Sequence, residues 1–281
     1  MMKYEESHYF GYDGVKMHMS VWHPDDERPR ALLIVIHGLG SHGYALKNIG
    51  EYFSERGVAV FAPDMRGFGH YTGLKGHVMN FDEYIEDMYN IVMQVKDRYL
   101  NKITYVYGES LGGQHVIRYV TSYSKAIDGI ILSCPGVSET LDIGIGTYIA
   151  GRILSIFNVK RYFSSKYKSE FLTHDLEALK EVEEDPLRFE SVTARFGIEG
   201  LKAAKRAFQC APEIILPVLV QQAGDDRIVD PEKTKTFYDN LQSMDKTWIL
   251  YDGFYHGLNI EKEKERVFRD IETWLEKRLP S

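Results

Sequence analysis

The stretch Ile103-Thr104-Tyr105-Val106-Tyr107-Gly108-Glu109-Ser110-Leu111-Gly112, continuing into Gln114-His115-Val116-Ile117-Arg118-Tyr119-Val120, decides how this chain is read. Residues 103–107 are β-branched or aromatic and favour a strand, whereas 114–120 suit a helix. Between them G-x-S-x-G falls on the turn, the context in which this short pattern becomes a nucleophile elbow. A serine hydroxyl is a weak nucleophile. The turn must therefore lift Ser110 clear of the sheet, where a base can take its proton and an acyl group can approach. The two glycines leave room for the strained backbone. Ser110 is the candidate nucleophile.

Outward from this turn, apolar strand runs alternate with amphipathic helices. Strands are expected at 31–36, 58–62, 103–107, 129–133, 218–222 and 247–251, and their largely non-alternating apolar character suits strands covered on both faces. Phe81, Tyr84, Ile85, Met88, Ile91, Val92 and Val95 recur at helical spacing, as do Val267, Ile271, Trp274 and Leu275. The alternation implies an α/β fold with a mostly parallel, doubly wound sheet. An N-terminal antiparallel hairpin turning at Tyr12-Asp13-Gly14 extends it.

The rhythm breaks between the strands at 129–133 and 218–222. Residues 134–217, 84 in all, intervene, far more than one helix and its loops need. The expected division is a core of 1–137 and 211–281 with a helical cap, or lid, over 138–210. Its first part carries Ile143, Ile145, Ile149, Ile153, Leu154, Ile156 and Phe157, interrupted by Gly144, Gly146 and Gly151. Two further helical patterns follow, Leu176, Leu179 and Val182 after a cap at Thr173, then Ile198, Leu201, Ala204 and Phe208.

Composition bounds the function classes. With 281 residues, 44% of them hydrophobic, the chain can bury a large core. A net charge of −7 argues against nucleic-acid binding, which wants a basic patch. Met1-Met2-Lys3-Tyr4-Glu5-Glu6 carries no apolar signal region, and no run of about 18 apolar residues is present to span a bilayer. A cytoplasmic protein is expected, peripheral to membranes at most. Cys134 and Cys210 are read as two packed thiols, and no H-E-x-x-H or clustered Cys/His spacing points to a metal. No cofactor is expected.

In an elbow fold the partners of the serine come late, acid before histidine. Ala223-Gly224-Asp225-Asp226-Arg227-Ile228-Val229-Asp230 follows one strand, and Asp252-Gly253-Phe254-Tyr255-His256-Gly257 follows the last. Both lie at strand C-terminal ends, where open α/β sheets form their ligand crevices. His256 would accept the Ser110 proton and return it to the leaving group, with an Asp fixing its tautomer. Spacing leaves Asp225, Asp226 and Asp230 all open, with Asp230-Pro231 also suited to starting a helix. The strand 31–36 runs into His37-Gly38-Leu39-Gly40, so the backbone N–H groups of Leu39 and Leu111 are the expected oxyanion donors. One decoy shares that loop. Gly38-Leu39-Gly40-Ser41-His42-Gly43 satisfies G-x-G-x-x-G, with Asp64 as a ribose-binding acid, but a dinucleotide reading leaves the serine turn, the late histidine and the long insertion unexplained. His37, His42, His70 and His77 are read as loop structure.

Together these residues resemble the α/β-hydrolase superfamily and, within it, the monoacylglycerol lipase and lysophospholipase group of serine hydrolases. The resemblance spans the chain through His37-Gly38-Leu39-Gly40-Ser41-His42, Asp64-Met65-Arg66-Gly67-Phe68-Gly69, Gly108-Glu109-Ser110-Leu111-Gly112-Gly113, Asp185-Pro186-Leu187, Asp226-Arg227-Ile228-Val229-Asp230 and Tyr255-His256. It implies that the acid before Arg227, Asp226, completes a triad with Ser110 and His256. It also implies hydrolysis of a lipid-like ester such as a monoacylglycerol through an acyl-serine. Lysophospholipase, carboxylesterase and thioesterase activity are the alternatives, and a non-catalytic binding protein of this fold is a remote one. Where the group's G-x-G-x-S pattern carries serine this chain has Tyr71, a departure that touches local packing. The segment 143–157, with Ile145, Ile149 and Ile153, is expected to line an acyl tunnel, to touch a membrane or micelle surface, or simply to pack on the core.

Overall fold

The computed structural model describes residues 2–26, 28–123, 126–138, 145–164 and 168–279. In chain order its strands are β1 (Lys3–Phe10), β2 (Lys16–His23), β3 (Ala31–Ile36), β4 (Val58–Pro63), β5 (Thr104–Glu109), β6 (Gly129–Ser133), β7 (Tyr162–Ser164), β8 (Ser191–Thr193), β9 (Val218–Ala223) and β10 (Lys246–Tyr251). Eight of them form one sheet in the order β1-β2-β4-β3-β5-β6-β9-β10. From β4 to β10 the pairing is parallel, and β1 and β2 add an antiparallel edge. The mostly parallel sheet with its N-terminal hairpin is the architecture expected from the sequence.

Strand β3 shows why these runs lack alternation. Leu32, Ile34 and Ile36 enter one apolar cluster while Ala31, Leu33 and Val35 enter the other, and all six are fully buried. Side chains alternate between faces, and both faces are covered, so every position is apolar. Helices α2 (Asp82–Arg98) and α3 (Leu111–Tyr123) cover one face, with Met88, Ile91, Val92, Val116 and Val120 in its cluster. Helices α1 (Lys47–Ser54) and α8 (Lys264–Glu276) cover the other through Ile49, Phe53, Val267, Ile271 and Trp274.

Arg66 ties the hairpin to this body. It lies buried with its Nε and Nη2 on the Asp87 carboxylate, at 2.8 Å each, and its Nη1 and Nη2 on Asp13, at 2.8 and 2.9 Å. Burial opposes the guanidinium charge, but the carboxylates of Asp87 and Asp13 outweigh it and hold its pKa above the ordinary value. Tyr71, the departure from the group's pattern, joins the network by accepting from Arg66 Nη1 at 3.4 Å. Arg66→Met would strand the fully buried Asp87 carboxylate, and we expect a loss of about 3–5 kcal/mol in denaturant unfolding. A loss below about 1 kcal/mol, the range of an exposed ion pair, would contradict this account.

Between β6 and β9 the chain forms α4 (Ile145–Ile156), β7, α5 (Leu176–Glu184), β8 and α6 (Ala194–Gln209). Ile143 and Gly144 lie outside the described residues. The expected cap at Thr173 is corrected. Asp175 caps α5, accepting from Glu177 N–H and Ala178 N–H, because it directly precedes the first helical turn. The Thr173 hydroxyl instead donates to Ile260 O at 2.8 Å and accepts from Asp175 N–H at 3.0 Å. Helix α6 starts from a Thr193 cap and joins the α2–α3 face through Phe196, Ala203 and Ala207. Helix α7 (Pro231–Asp239) opens on Asp230, whose side chain accepts from Glu232 and Lys233 N–H.

Candidate active site

Strand β5 delivers Ser110 to the mouth of the sheet and α3 leaves at once, so the turn between them is severe. Ser110 takes a left-handed conformation, φ 53°, which a non-glycine residue adopts at a cost. The flanking glycines serve close approach rather than positive φ. A Cβ on Gly108 would stand 2.6 Å from Gly112 O, and one on Gly112 would stand 2.2 Å from Ile36 O. The helix must lie almost on the strand ends for the serine to project.

The loop after β3 folds onto this turn. A Cβ on Gly38 would lie 3.3 Å from Ser110 Cβ and 3.9 Å from Ser110 Oγ. His37 fixes the loop from beneath: its Nε2 accepts from Met65 N–H at 2.9 Å and its Nδ1 donates to Gly38 O at 2.8 Å. Burial pushes the His37 pKa down to about 4, partly offset by the Gly38 bond, so the ring is neutral and structural. The N–H groups of Leu39 and Leu111 have no hydrogen-bond partner among the described residues. The Leu111 N–H is also the positive end of the 13-residue α3. Asp64, the ribose-binding acid of the decoy reading, is occupied otherwise: it accepts from Gly43 N–H at 2.8 Å and from His70 N–H at 2.7 Å.

Of the three late acids, one meets the histidine. Asp226 Oδ2 accepts from His256 Nδ1 at 2.7 Å, and both side chains are almost fully buried. Asp225 is exposed, and Asp230 is the cap of α7. Asp226 Oδ1 accepts from Ile228 N–H at 2.8 Å and Val229 N–H at 2.9 Å, which holds the carboxylate in one orientation. Burial works to raise the Asp226 pKa, yet the charge and hydrogen bond of His256 and these two amides bring it below the ordinary carboxylate value. For His256 burial works downward, and Asp226, with a smaller contribution from Glu109, outweighs it and raises the pKa. Its Nε2 is buried and has no hydrogen-bond partner among the described residues.

Ser110, His256 and Leu39 line one cleft with a volume of about 110 Å³. Leu39, Leu172, Val182, Ile228 and Ile260 supply apolar wall, and Glu109, Asp185, Arg188 and Glu190 supply charge. Of these, Asp185 belongs to the Asp185-Pro186-Leu187 stretch that carries the resemblance, whereas Glu109, Arg188 and Glu190 have no role assigned from the sequence. Glu109 occupies the variable position of the serine motif, where the pattern is silent about side chain. It accepts from Asn259 Nδ2, and burial raises its pKa against the opposing pull of His256. The Arg188 guanidinium is held by Glu190.

The insertion is bonded to both loops that flank the serine. His42 Nε2 meets Asp185 Oδ2 at 2.7 Å and Phe189 N–H donates to Gly40 O at 2.9 Å. On the other side His256 N–H donates to Phe171 O at 3.3 Å and Gly257 N–H to Leu172 O at 2.8 Å. Ile145, Ile149 and Ile153 are not brought to the cleft. They are 80%, 52% and 51% exposed, because α4 packs on α6 and turns its isoleucines outward. An acyl tunnel lined by these three side chains is therefore not what the fold forms. Cys134 and Cys210 are both unpaired.

A family model described as Hydrolase_4, serine aminopeptidase, S33, matches residues 27–263. A putative monoglyceride lipase of Schizosaccharomyces pombe is 28% identical over 87% of this chain, which spans 66% of that relative's length. Phospholipase YtpA of Bacillus subtilis is 27% identical over 89% of the chain and 96% of its own length. The crystal structure of the Paleococcus ferrophilus monoacylglycerol lipase superposes with a TM-score of 0.81 at 25% identity, covering 98% of both chains.

Proposed function

From the premise that the chain belongs to the serine aminopeptidase S33 family of α/β-hydrolases, we propose that it hydrolyses carboxylic esters of lipid-like substrates, monoacylglycerol foremost, through an acyl-serine. One observation carries the reading: an oriented, Asp226-bonded His256 with a free Nε2, in the same cleft as a serine held at positive φ. Ser110 Oγ attacks the ester carbonyl while His256 takes its proton. The oxyanion is received by the N–H groups of Leu39 and Leu111. His256 then protonates the departing alcohol, and in the second half it activates water to release the fatty acid. Asp226 fixes the imidazole tautomer and stabilises its cation. No cofactor takes part.

Residues 138–210 act as the cap of a core formed by 1–137 and 211–281. The exposed isoleucines of α4 suit transient contact with a membrane or micelle surface rather than a tunnel wall. No described helix is long and apolar enough to cross a membrane. The cleft charges bear on the leaving group. Three carboxyl residues, Glu109, Asp185 and Glu190, accompany one guanidinium already engaged by Glu190, so a neutral polyol is accommodated more easily than a phosphate. Rates over monoacylglycerols, lysophospholipids and p-nitrophenyl esters of increasing chain length test this. Monoacylglycerols are expected to lead, and a preference for lysophospholipids would transfer the assignment to that activity. Absence of ester hydrolysis, together with no labelling of Ser110 by a fluorophosphonate, would sink it.

The raised pKa of His256 sets the pH response. The base works only when neutral, so kcat/KM should fall on the acid side with a midpoint above the ordinary imidazole value of about 6.5. A midpoint below that value would show that burial, not Asp226, dominates the ring.

A further inference from the structure

On the antiparallel side of the sheet, three side chains from separate segments bring their donor atoms together. His18 of β2, Asp64 after β4 and His70 offer one ligand atom each, all within 4.8 Å of one another. Asp64 Oδ2 lies 2.8 Å from His70 Nδ1 and 3.6 Å from His18 Nδ1, the latter too long for a hydrogen bond. Donors about 2.0–2.2 Å from a tetrahedral zinc ion are separated by roughly 3.3–3.6 Å, so only small ring movements are needed to admit an ion.

Two further observations point to a ligand. Both ring nitrogens of His18 are buried without a hydrogen-bond partner among the described residues, an unsatisfied state that costs free energy. The Asp64 carboxylate is already oriented by the backbone N–H groups of Gly43 and His70, the kind of support that metal-bound carboxylates receive. A fourth ligand is available after a side-chain rotation of His8, whose ring now stands edge-on to Phe10 with centroids 5.5 Å apart. In the β1–β2 ladder His8 stands directly opposite His18, so their side chains share a face with Cβ atoms about 4.5–5.5 Å apart. His70 is 45% exposed and His8 is exposed, which leaves an entry path.

We propose that His18, Asp64 and His70, joined by His8 across the hairpin, bind a divalent transition-metal ion of the zinc class at a site separate from the Ser110 cleft. Imidazole with one carboxylate suits such an ion and not the oxygen-seeking calcium or magnesium. Its role is to pin the β1–β2 edge to the loop that starts at Asp64, and it takes no part in ester hydrolysis. Local spacing gave no metal signature because the ligands sit at positions 8, 18, 64 and 70. Only the strand pairing of β1 with β2 and of β2 with β4 brings them to one face.

The untagged chain, stripped with EDTA, is titrated with Zn²⁺ against a chromophoric chelator and with Co²⁺ for its absorption spectrum. One ion per chain is expected, with affinity weakened about tenfold or more in His18→Gln and His70→Gln. Saturating Zn²⁺ should raise the thermal midpoint of the parent and not of those variants. The solvent-facing ring of His70 makes His70→Gln the variant least exposed to folding failure. The competing cluster is Cys134, Asp226 and His256. Binding there would give a thiolate charge-transfer band with Co²⁺, respond to Cys134→Ser and abolish hydrolysis. That pattern overturns the proposal, as does no saturable uptake, or uptake unchanged in His70→Gln.

Discussion

Ser110→Ala should leave a folded protein whose ester hydrolysis is lower by about a thousandfold or more. The substitution removes the protein atom that forms a covalent bond to the acyl group in the proposed reaction. What survives would be attack by water assisted by the remaining histidine and the oxyanion amides, which is why the residual rate need not be zero. Stability should not fall, because alanine tolerates the left-handed turn no worse than serine does at φ 53°. Thermal unfolding and a fluorophosphonate reaction would be run beside the assay. A variant that unfolds at the parent temperature, stays unlabelled and yet retains parental kcat/KM would move the nucleophile elsewhere.

Asp226→Asn should cost roughly three to four orders of magnitude in kcat/KM, while Asp225→Asn changes it little. The asymmetry follows from one hydrogen bond. An asparagine at 226 would offer its amide to His256 Nδ1 and favour the tautomer with its proton on Nε2, the atom that must accept from Ser110. It would also remove the charge that stabilises the imidazolium. Asp225 is exposed and its backbone N–H, not its side chain, holds Phe254 O at 3.0 Å. The reverse ranking would show that the wrong carboxylate completes the site.

The sequence displayed the sheet more fully than the cleft. Strands such as β3 announce themselves because burial on both faces demands an unbroken apolar run, and the serine turn because its glycines are forced by contacts of 2.2 and 2.6 Å. Among the three late acids the chain alone could not choose, since Asp225, Asp226 and Asp230 all suit a turn. Resemblance selected Asp226, and the fold pairs that residue with His256. Glu109 with Asn259, and His42 with Asp185, were invisible for another reason. Each pair joins segments at least 143 positions apart, and no periodicity reports such a contact. The isoleucines of α4 were legible as an apolar stripe, but a stripe does not say which way it faces.

The four hydrogen bonds that run from the insertion to the loops at Gly40–His42 and His256–Gly257 make it more than a roof. They mean that the segment between β6 and β9 cannot be exchanged as a cassette to re-tune substrate choice. A segment borrowed from a relative would need counterparts of Asp185 and Phe189 and of the carbonyls of Phe171 and Leu172. Without them the graft would loosen the loop after β3 and the histidine together, and an engineer seeking new selectivity would first meet a slower enzyme.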